Sequence, residues 1–395
     1  MKSPTTTTGL VAAALFPLVF LNLDAQGAQS TNPNIKACET QVPTTTDVPS
    51  EVYDPAEITQ YEYDRNNPNP LKQHILMSPD RYSCNQLVVF LSGSEGIPQK
   101  HSWILKAAAS ARFRTIGLSY DTKDDTTKPN PSIVCYDLGL DASSGIDCQA
   151  EIRKDHILGG NRLADLADTY LPAGISLNYV DAGILQEDSV VGELVFLLER
   201  LAANDSWYDQ FLSPNRVAQD PQAEDIIWEN IILGGFSQGS GHGTLMATMW
   251  EVHGYVGFSG PFDSDLSNVS ANGLEVDGIA SWIHEGETPG SRRFHMHHLK
   301  EEGGAWTTTP VIPRNMNALN LPRTYALRPE TLSWDELVAL NAHRFGTDRV
   351  PQCNATAYHG SVAVDGCQYM ITNRYGFELT DTFDLHVHMF QRAGE

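Results

Sequence analysis

The sequence predicts an α/β domain built on a mostly parallel sheet with helices on both faces. Three observations point there. Short, continuous apolar runs recur along the chain, as expected of strands buried on both faces. Segments with helical spacing of apolar residues follow several of them. One such run also ends in a serine between glycines and turns directly into a further helical segment. The chain has 395 residues, 41% of them hydrophobic, with 31 Gly and 22 Pro, which excludes collagen-like, coiled-coil and wholly disordered classes.

Taken in order, the chain opens with Lys2 and then an uncharged run from Leu10 to Leu23. A membrane-spanning helix needs about 18 or more apolar residues, so this run suits the core of a signal peptide instead. Small residues follow at Ala25, Gly27 and Ala28. A targeting segment over 1–27 and an exported mature protein, extracellular or periplasmic, are expected. No later run is long and apolar enough to predict stable membrane insertion. Residues 28–80, rich in Pro, Thr, Asn and Asp, read as an extended N-terminal arm, and 81–395 as the main α/β domain.

Within that domain Leu87 to Leu91 reads as a strand, His101 to Arg112 as a helix and Arg114 to Tyr120 as the next strand. Residues 121–180 are polar and break the rhythm, so an insertion flanking or covering a cleft is expected there. Gln186 to Ala203 carries apolar residues at helical spacing. Asn230 to Gly234 is a strand, Gly241 to Met249 a helix, His253 to Ser259 a strand, and Arg293 to His297 another. Trp334 to Leu340 is helical, and the alternation of His386 and His388 reads as a strand.

Six cysteines are present, all in the mature part: Cys38, Cys84, Cys135, Cys148, Cys353 and Cys367. None forms a CxxC pair, and in an oxidising compartment three disulfides are the default. Pairing of neighbours is expected: Cys38 with Cys84, Cys135 with Cys148, Cys353 with Cys367. Sequons at Asn204, Asn268 and Asn354 make a glycoprotein the expectation in a glycosylating host. Asp plus Glu total 49 against 26 Lys plus Arg, a net charge of −23. A surface this acidic repels phosphate backbones and anionic lipid, so no nucleic-acid partner is expected. The sequence leaves the oligomeric state open.

Gly235-Phe236-Ser237-Gln238-Gly239 is a GxSxG motif. It follows a strand and opens into a helix rich in small residues, which is the setting of a nucleophile elbow. Glycines are needed because the turn is too tight for side chains on either flank. Gly257-Phe258-Ser259-Gly260-Pro261 is a near miss: it also follows a strand, but Pro261 stops any helix there.

On these residues the chain resembles secreted serine hydrolases of the α/β-hydrolase superfamily. More narrowly it is similar to carboxylesterases with an apolar strand running into a Gly-rich oxyanion loop, here LVVFLSGSEGIP, and an elbow, here GGFSQGSGHG. The resemblance covers roughly residues 85–370. It implies an α/β-hydrolase fold, a Ser-acid-His order along the chain and no cofactor. A serine hydroxyl needs a base to take its proton and a third group to orient that base. The resemblance places the acid in the loop after Arg293–His297, where Glu301 matches the family position with Glu in place of Asp; Glu302 and Asp263 remain alternatives. It places the base at His359, in Ala357-Tyr358-His359-Gly360-Ser361, with His343, His386 and His388 as rivals. It implies oxyanion donors at the Gln238 amide and at Ser94 or Glu95.

His295, His297 and His298 with Glu301 and Glu302 also suggest a metal site, but the metallohydrolase spacings are absent and no metal is expected. His242 reads as a packing or capping residue of the elbow helix. The expected activity is cleavage of carboxylic esters, small or polymeric, through an acyl-enzyme. A serine peptidase, thioesterase or polyester depolymerase on the same three residues, and a non-catalytic secreted binding protein of this fold, are the other readings.

Overall fold

Parallel strands with both faces covered explain why so many runs in this chain are apolar throughout. In the computed structural model the runs apolar throughout are β3 (Leu87–Leu91), β5 (Ile231–Phe236) and β6 (Gly254–Phe258), and β4 (Arg114–Leu118) and β7 (Arg293–His298) are buried strands of mixed sequence in the same sheet. Four more strands complete the main sheet: β1 (Ser50–Tyr53), β2 (His74–Met77), β8 (Tyr325–Leu327) and β9 (Arg344–Thr347). The order across the sheet is β1-β2-β4-β3-β5-β6-β7-β9-β8. Neighbours from β4 to β8 are parallel, while β2 is antiparallel to both β1 and β4. The structure describes residues 50–53, 73–79, 84–94, 97–121, 147–160, 162, 184–216, 220–263, 279–301, 311–354, 357–372 and 378–395. All of these fall in one compact unit, Ala37–Glu395.

The period of two in the strands divides the core. Leu87, Val89, Leu91, Ile231 and Leu233 face one layer; Val88, Phe90, Ile232 and Phe236 face the other. The first layer is closed by α2 (Cys148–Leu158), α3 (Val190–Ala202), α4 (Gln238–Met249) and α5 (Val311–Ala318). The second is closed by α1 (Ser102–Ser110), α6 (Trp334–Leu340) and α7 (Phe383–Ala393). This strand order, with β2 antiparallel in an otherwise parallel sheet covered by helices on both faces, is that of the α/β-hydrolase fold. Local signals fix the helix starts. Ser189 caps α3 by accepting from Gly192 N at 3.1 Å, a contact worth about 1 kcal/mol. Ser333 and Glu336 form a capping box at α6.

Three expectations need correction. The segment expected as an arm contributes β1 and β2 to the sheet; these four-residue strands are too short to stand out by pattern in so polar a stretch. The expected surface insertion contains α2, whose Ile152, Arg153, Asp155 and Ile157 are buried, so that part is core and not cover. The expected C-terminal strand around His386 and His388 is the helix α7, packed against α1 and β6; Phe383, Leu385, Val387 and Met389 alternate with Asp384, His386 and His388 and imitate a strand. Cys353 and Cys367 are joined as expected. Cys84 and Cys148 are also disulfide-bonded, while Cys38 and Cys135 lie outside the described residues. So do the expected targeting segment, Glu95, Glu302 and Asn268. Among the described residues no helix is long and apolar enough to cross a membrane.

Candidate active site

The parallel register brings the C-terminal ends of β3, β5, β6 and β7 level. Leu91 lies beside Gly235, Phe236 beside Phe258, and Phe258 beside Met296. The loops leaving those strands therefore emerge along one edge of the sheet, the edge where open parallel sheets bind ligands.

Ser237 follows β5 and is the N-cap of α4, with φ 55° and ψ −116°. A non-glycine residue held there costs about 1–3 kcal/mol, so the surroundings must impose it. The surroundings are visible. Ser237 N donates to Phe258 O at 2.9 Å, and Gly241 N donates to Ser237 O at 3.1 Å. A Cβ on Gly235 would collide with Gly239 O, and one on Gly239 with the carbonyls of Leu91 and Ser92. Both glycines of the motif are thus required by close backbone approach. The helix then starts at Gln238, so its first-turn amides lie beside the serine hydroxyl. The loop after β3 closes on the same point: a Cβ on Gly93 would stand 3.3 Å from Ser237 Cβ. Ser94, next in that loop, is exposed.

His359 sits on a 3-10 turn, Tyr358–Val362. Its Nε2 is 2.6 Å from Ser237 Oγ, and its Nδ1 bonds Glu301 Oε1. A carboxylate can only accept, so Nδ1 carries the proton and Nε2 is left to accept from the serine. The imidazole packs between Phe236 and Phe262, with ring centroids 4.9 and 5.4 Å away, and its side chain remains 43% exposed. Glu301 is only 4% exposed. Its other oxygen, Oε2, accepts from Ser259 Oγ at 3.0 Å and from His298 N at 3.3 Å. The loop that carries it is fastened by His298. Lys300 N donates to His298 Nδ1 at 3.0 Å, and His298 Nε2 donates to Arg349 O at 2.8 Å. Burial lowers the pKa of His298, which keeps the neutral form this arrangement needs.

The turn bearing His359 is tied to the helix that follows the β3 loop. Asp365 accepts from Ser102 N at 2.8 Å and Trp103 N at 3.1 Å, capping α1. His101 Nδ1 donates to Ala363 O at 2.9 Å. Burial pushes Asp365 up to about 6 and His101 down to about 4.

Asp263, the alternative acid, is engaged elsewhere. Its carboxylate takes a two-pronged bond from Arg153, at 2.6 Å to Nε and 2.5 Å to Nη2, and another from Trp282 Nε1 at 3.0 Å. Both partners of this pair are buried. Arg153 also donates to Gln238 O at 3.3 Å, so α2 is clamped beneath the elbow. The rival histidines occupy packing positions. His343 stacks on Phe294 at 4.3 Å, His386 meets Phe258 edge-on, and His388 meets Trp334 edge-on. His242 is fully buried and stacked on His156 at 5.0 Å, and burial lowers its pKa well below the usual value. His297 shares a hydrogen bond with Tyr325 OH at 3.1 Å. Among the described residues no group of three or more His, Cys, Asp or Glu is placed to hold a metal ion.

Sequence reasoning missed Arg153, Ser259 and Asp365. Ser259 had a signal, its near-miss motif one strand over from the elbow; Arg153 and Asp365 had none.

No protein-family model and no curated protein matches the chain. Solved structures that align with it include a candidate dienelactone hydrolase from Klebsiella pneumoniae, 10% identical, with a TM-score of 0.31 over 77% of this chain and 86% of that one. A Thermus thermophilus protein aligns at 12% identity and TM-score 0.30, covering 76% and 88%. A sugar hydrolase from Lactococcus lactis aligns at 12% and 0.28, covering 71% and 79%. These scores are low, and the fold assignment rests on strand order and layering alone.

Proposed function

We propose that the chain is a serine hydrolase that cleaves carboxylic esters through an acyl-enzyme. The observation that carries the reading is the unbroken chain from Ser237 Oγ to His359 to Glu301 at the C-terminal edge of the sheet. Ser237 Oγ adds to the ester carbonyl carbon while His359 Nε2 takes its proton. Glu301 holds the imidazole in the tautomer that can accept, and offsets the imidazolium that results. The carbonyl oxygen becomes an oxyanion at the start of α4, where the Gln238 amide and one from Ser94 or Glu95 would donate to it. Collapse expels the alcohol, which takes the proton from His359. Water then attacks the acyl group by the same route, giving the acid and restoring Ser237. No step calls for a cofactor. Export of the mature enzyme is part of the proposal, supported by the apolar N-terminal run and the disulfide Cys353–Cys367.

The test is labelling of the purified, disulfide-intact protein with a fluorophosphonate, followed by mass spectrometry of its peptides. The adduct should lie on Ser237 and be absent from Ser237→Ala and from His359→Ala. Folded protein that takes no label would remove the proposal.

A further inference from the structure

Two serines stand side by side at this edge. Phe236 pairs with Phe258 across β5 and β6, and each strand is followed by a serine with positive φ, 55° at Ser237 and 48° at Ser259. Each is held the same way. Ser237 N donates to Phe258 O and Ser259 N donates to Met296 O, both at 2.9 Å. A serine in a conformation that favours glycine needs a reason. At Ser259 the reason is not nucleophilic attack, because the residue is fully buried and Gly260 to Asp263 after it are not helical.

The hydroxyl has two acceptors, Glu301 Oε2 at 3.0 Å and the main-chain oxygen of His359 at 3.1 Å. It carries one proton and so donates to one of them at a time. The carboxylate is charged and is the stronger acceptor. We propose that Ser259 is a positioning residue for the Glu301–His359 pair, its hydroxyl locking the acid on Oε2 so that Oε1 faces the base. The proposal rests on the reading of Ser237, His359 and Glu301 as nucleophile, base and acid. Without the hydroxyl, Oε2 keeps, among the described residues, only the longer bond from His298 N. The carboxylate can then rotate, and its charge is balanced chiefly by His359. The base is then misaligned part of the time.

The test compares Ser259→Ala and Ser259→Gly with the full-length wild type, reading the rate of fluorophosphonate labelling at Ser237 against pH. Glycine suits the positive φ, so that variant keeps the fold even where alanine does not. Both should label about tenfold more slowly than wild type, the loss expected for one bond to a charged group. In a Glu301→Gln background the same substitutions should add little further loss, because the anion they act through is gone. A wild-type rate in Ser259→Gly would overturn the proposal. So would a full tenfold loss repeated on top of Glu301→Gln. Failure of the underlying reading looks different: there the wild type takes no label at Ser237, or His359→Ala labels as fast as wild type.

Discussion

The ends of β5 and β6 are near copies of one another with different duties. Both finish in a phenylalanine, then a serine with positive φ, then a residue of the exit segment. After Ser237 the chain enters α4, so the hydroxyl stands at a helix N-terminus with free amides beside it. After Ser259 come Gly260 and Pro261, and the chain leads to Asp263 and the clamp with Arg153 instead of to a helix. The two ends therefore differ in the segment that leaves the serine. Ser237 stands where a helix starts, while the buried Ser259 donates to Glu301 or to the main chain of His359.

The comparison breaks most directly at the two hydroxyls. Ser237→Ala should lower hydrolysis of a p-nitrophenyl ester by about 10⁴-fold or more, as expected for loss of a nucleophile. Ser259→Ala should stay within roughly tenfold of wild type. Equal losses at the two positions, measured on variants with unchanged melting temperature, would dissolve the distinction. The two carboxylates that follow these strand ends give a second contrast. Glu301→Gln should cost about 10²–10⁴ in rate with little change in stability, since its role is to hold the base. Asp263→Asn should cost about 3–5 kcal/mol in urea unfolding, because it strands the buried Arg153 charge. Its folded fraction should keep the wild-type pH profile. Activity lost in Asp263→Asn without loss of stability would make Asp263 the orienting acid.

The sequence made the elbow legible because that motif is local: strand, sharp turn and helix all lie within about twenty residues of chain. β3, β5 and β6 were legible for a related reason, since strands buried on both faces can be apolar at every position, while β4 and β7 keep apolar residues beside Arg114 and Arg293. The short strands β1, β2, β8 and β9 were not. Each has three or four residues, and nothing in so short a run separates it from loop. α7 was misread because Phe383, Leu385, Val387 and Met389 fall at every second position and mimic the alternation of a strand. The partners of Ser237 lie 64 and 122 positions away along the chain, so their selection leaned on a resemblance. Arg153 was invisible because a charged residue in a polar stretch reads as surface. Only the fold brings its partner, Asp263, 110 positions away, within bonding distance.

Backbone crowding offers a finer contrast between the two strand ends. A methyl on Gly239 would press on the main-chain oxygens of Leu91 and Ser92, which cannot move without shifting β3. Gly239→Ala should destabilise by about 2–4 kcal/mol and remove labelling at Ser237. A methyl on Gly260 would stand 3.0 Å from Ser237 O and from Ser240 Cβ, a tighter fit than normal but one that small shifts relieve. Gly260→Ala should cost about 1 kcal/mol or less and leave labelling in place. Reversal of that order would mean that the β6 turn, and not the β5 turn, sets the geometry of the edge.

A last effect separates the pH response of the site from that of the fold. On the proposed mechanism activity should fall in acid, because a protonated base cannot take the serine proton. Stability should also fall in acid, through the buried histidines. Burial lowers His101 and His388 to about 4, and His295 and His386 to about 3. In the unfolded chain each would titrate near the ordinary value of about 6.5. Below that pH the unfolded state binds more protons than the folded one, so stability is fully present above about 6.5 and drains away down to about 3. His386 lies against Phe258, the last residue of β6, so it belongs to the core behind the Ser259 end and not to the site. Replacing it with leucine removes one such titration without adding a charge. At pH 5, His386→Leu should recover on the order of 1–2 kcal/mol of the stability lost relative to pH 7. Its labelling profile at Ser237 should not move. If that substitution instead shifts the labelling midpoint, the core histidines and the site titrate as one system, and the acid loss of activity reports on packing behind β6 as much as on His359.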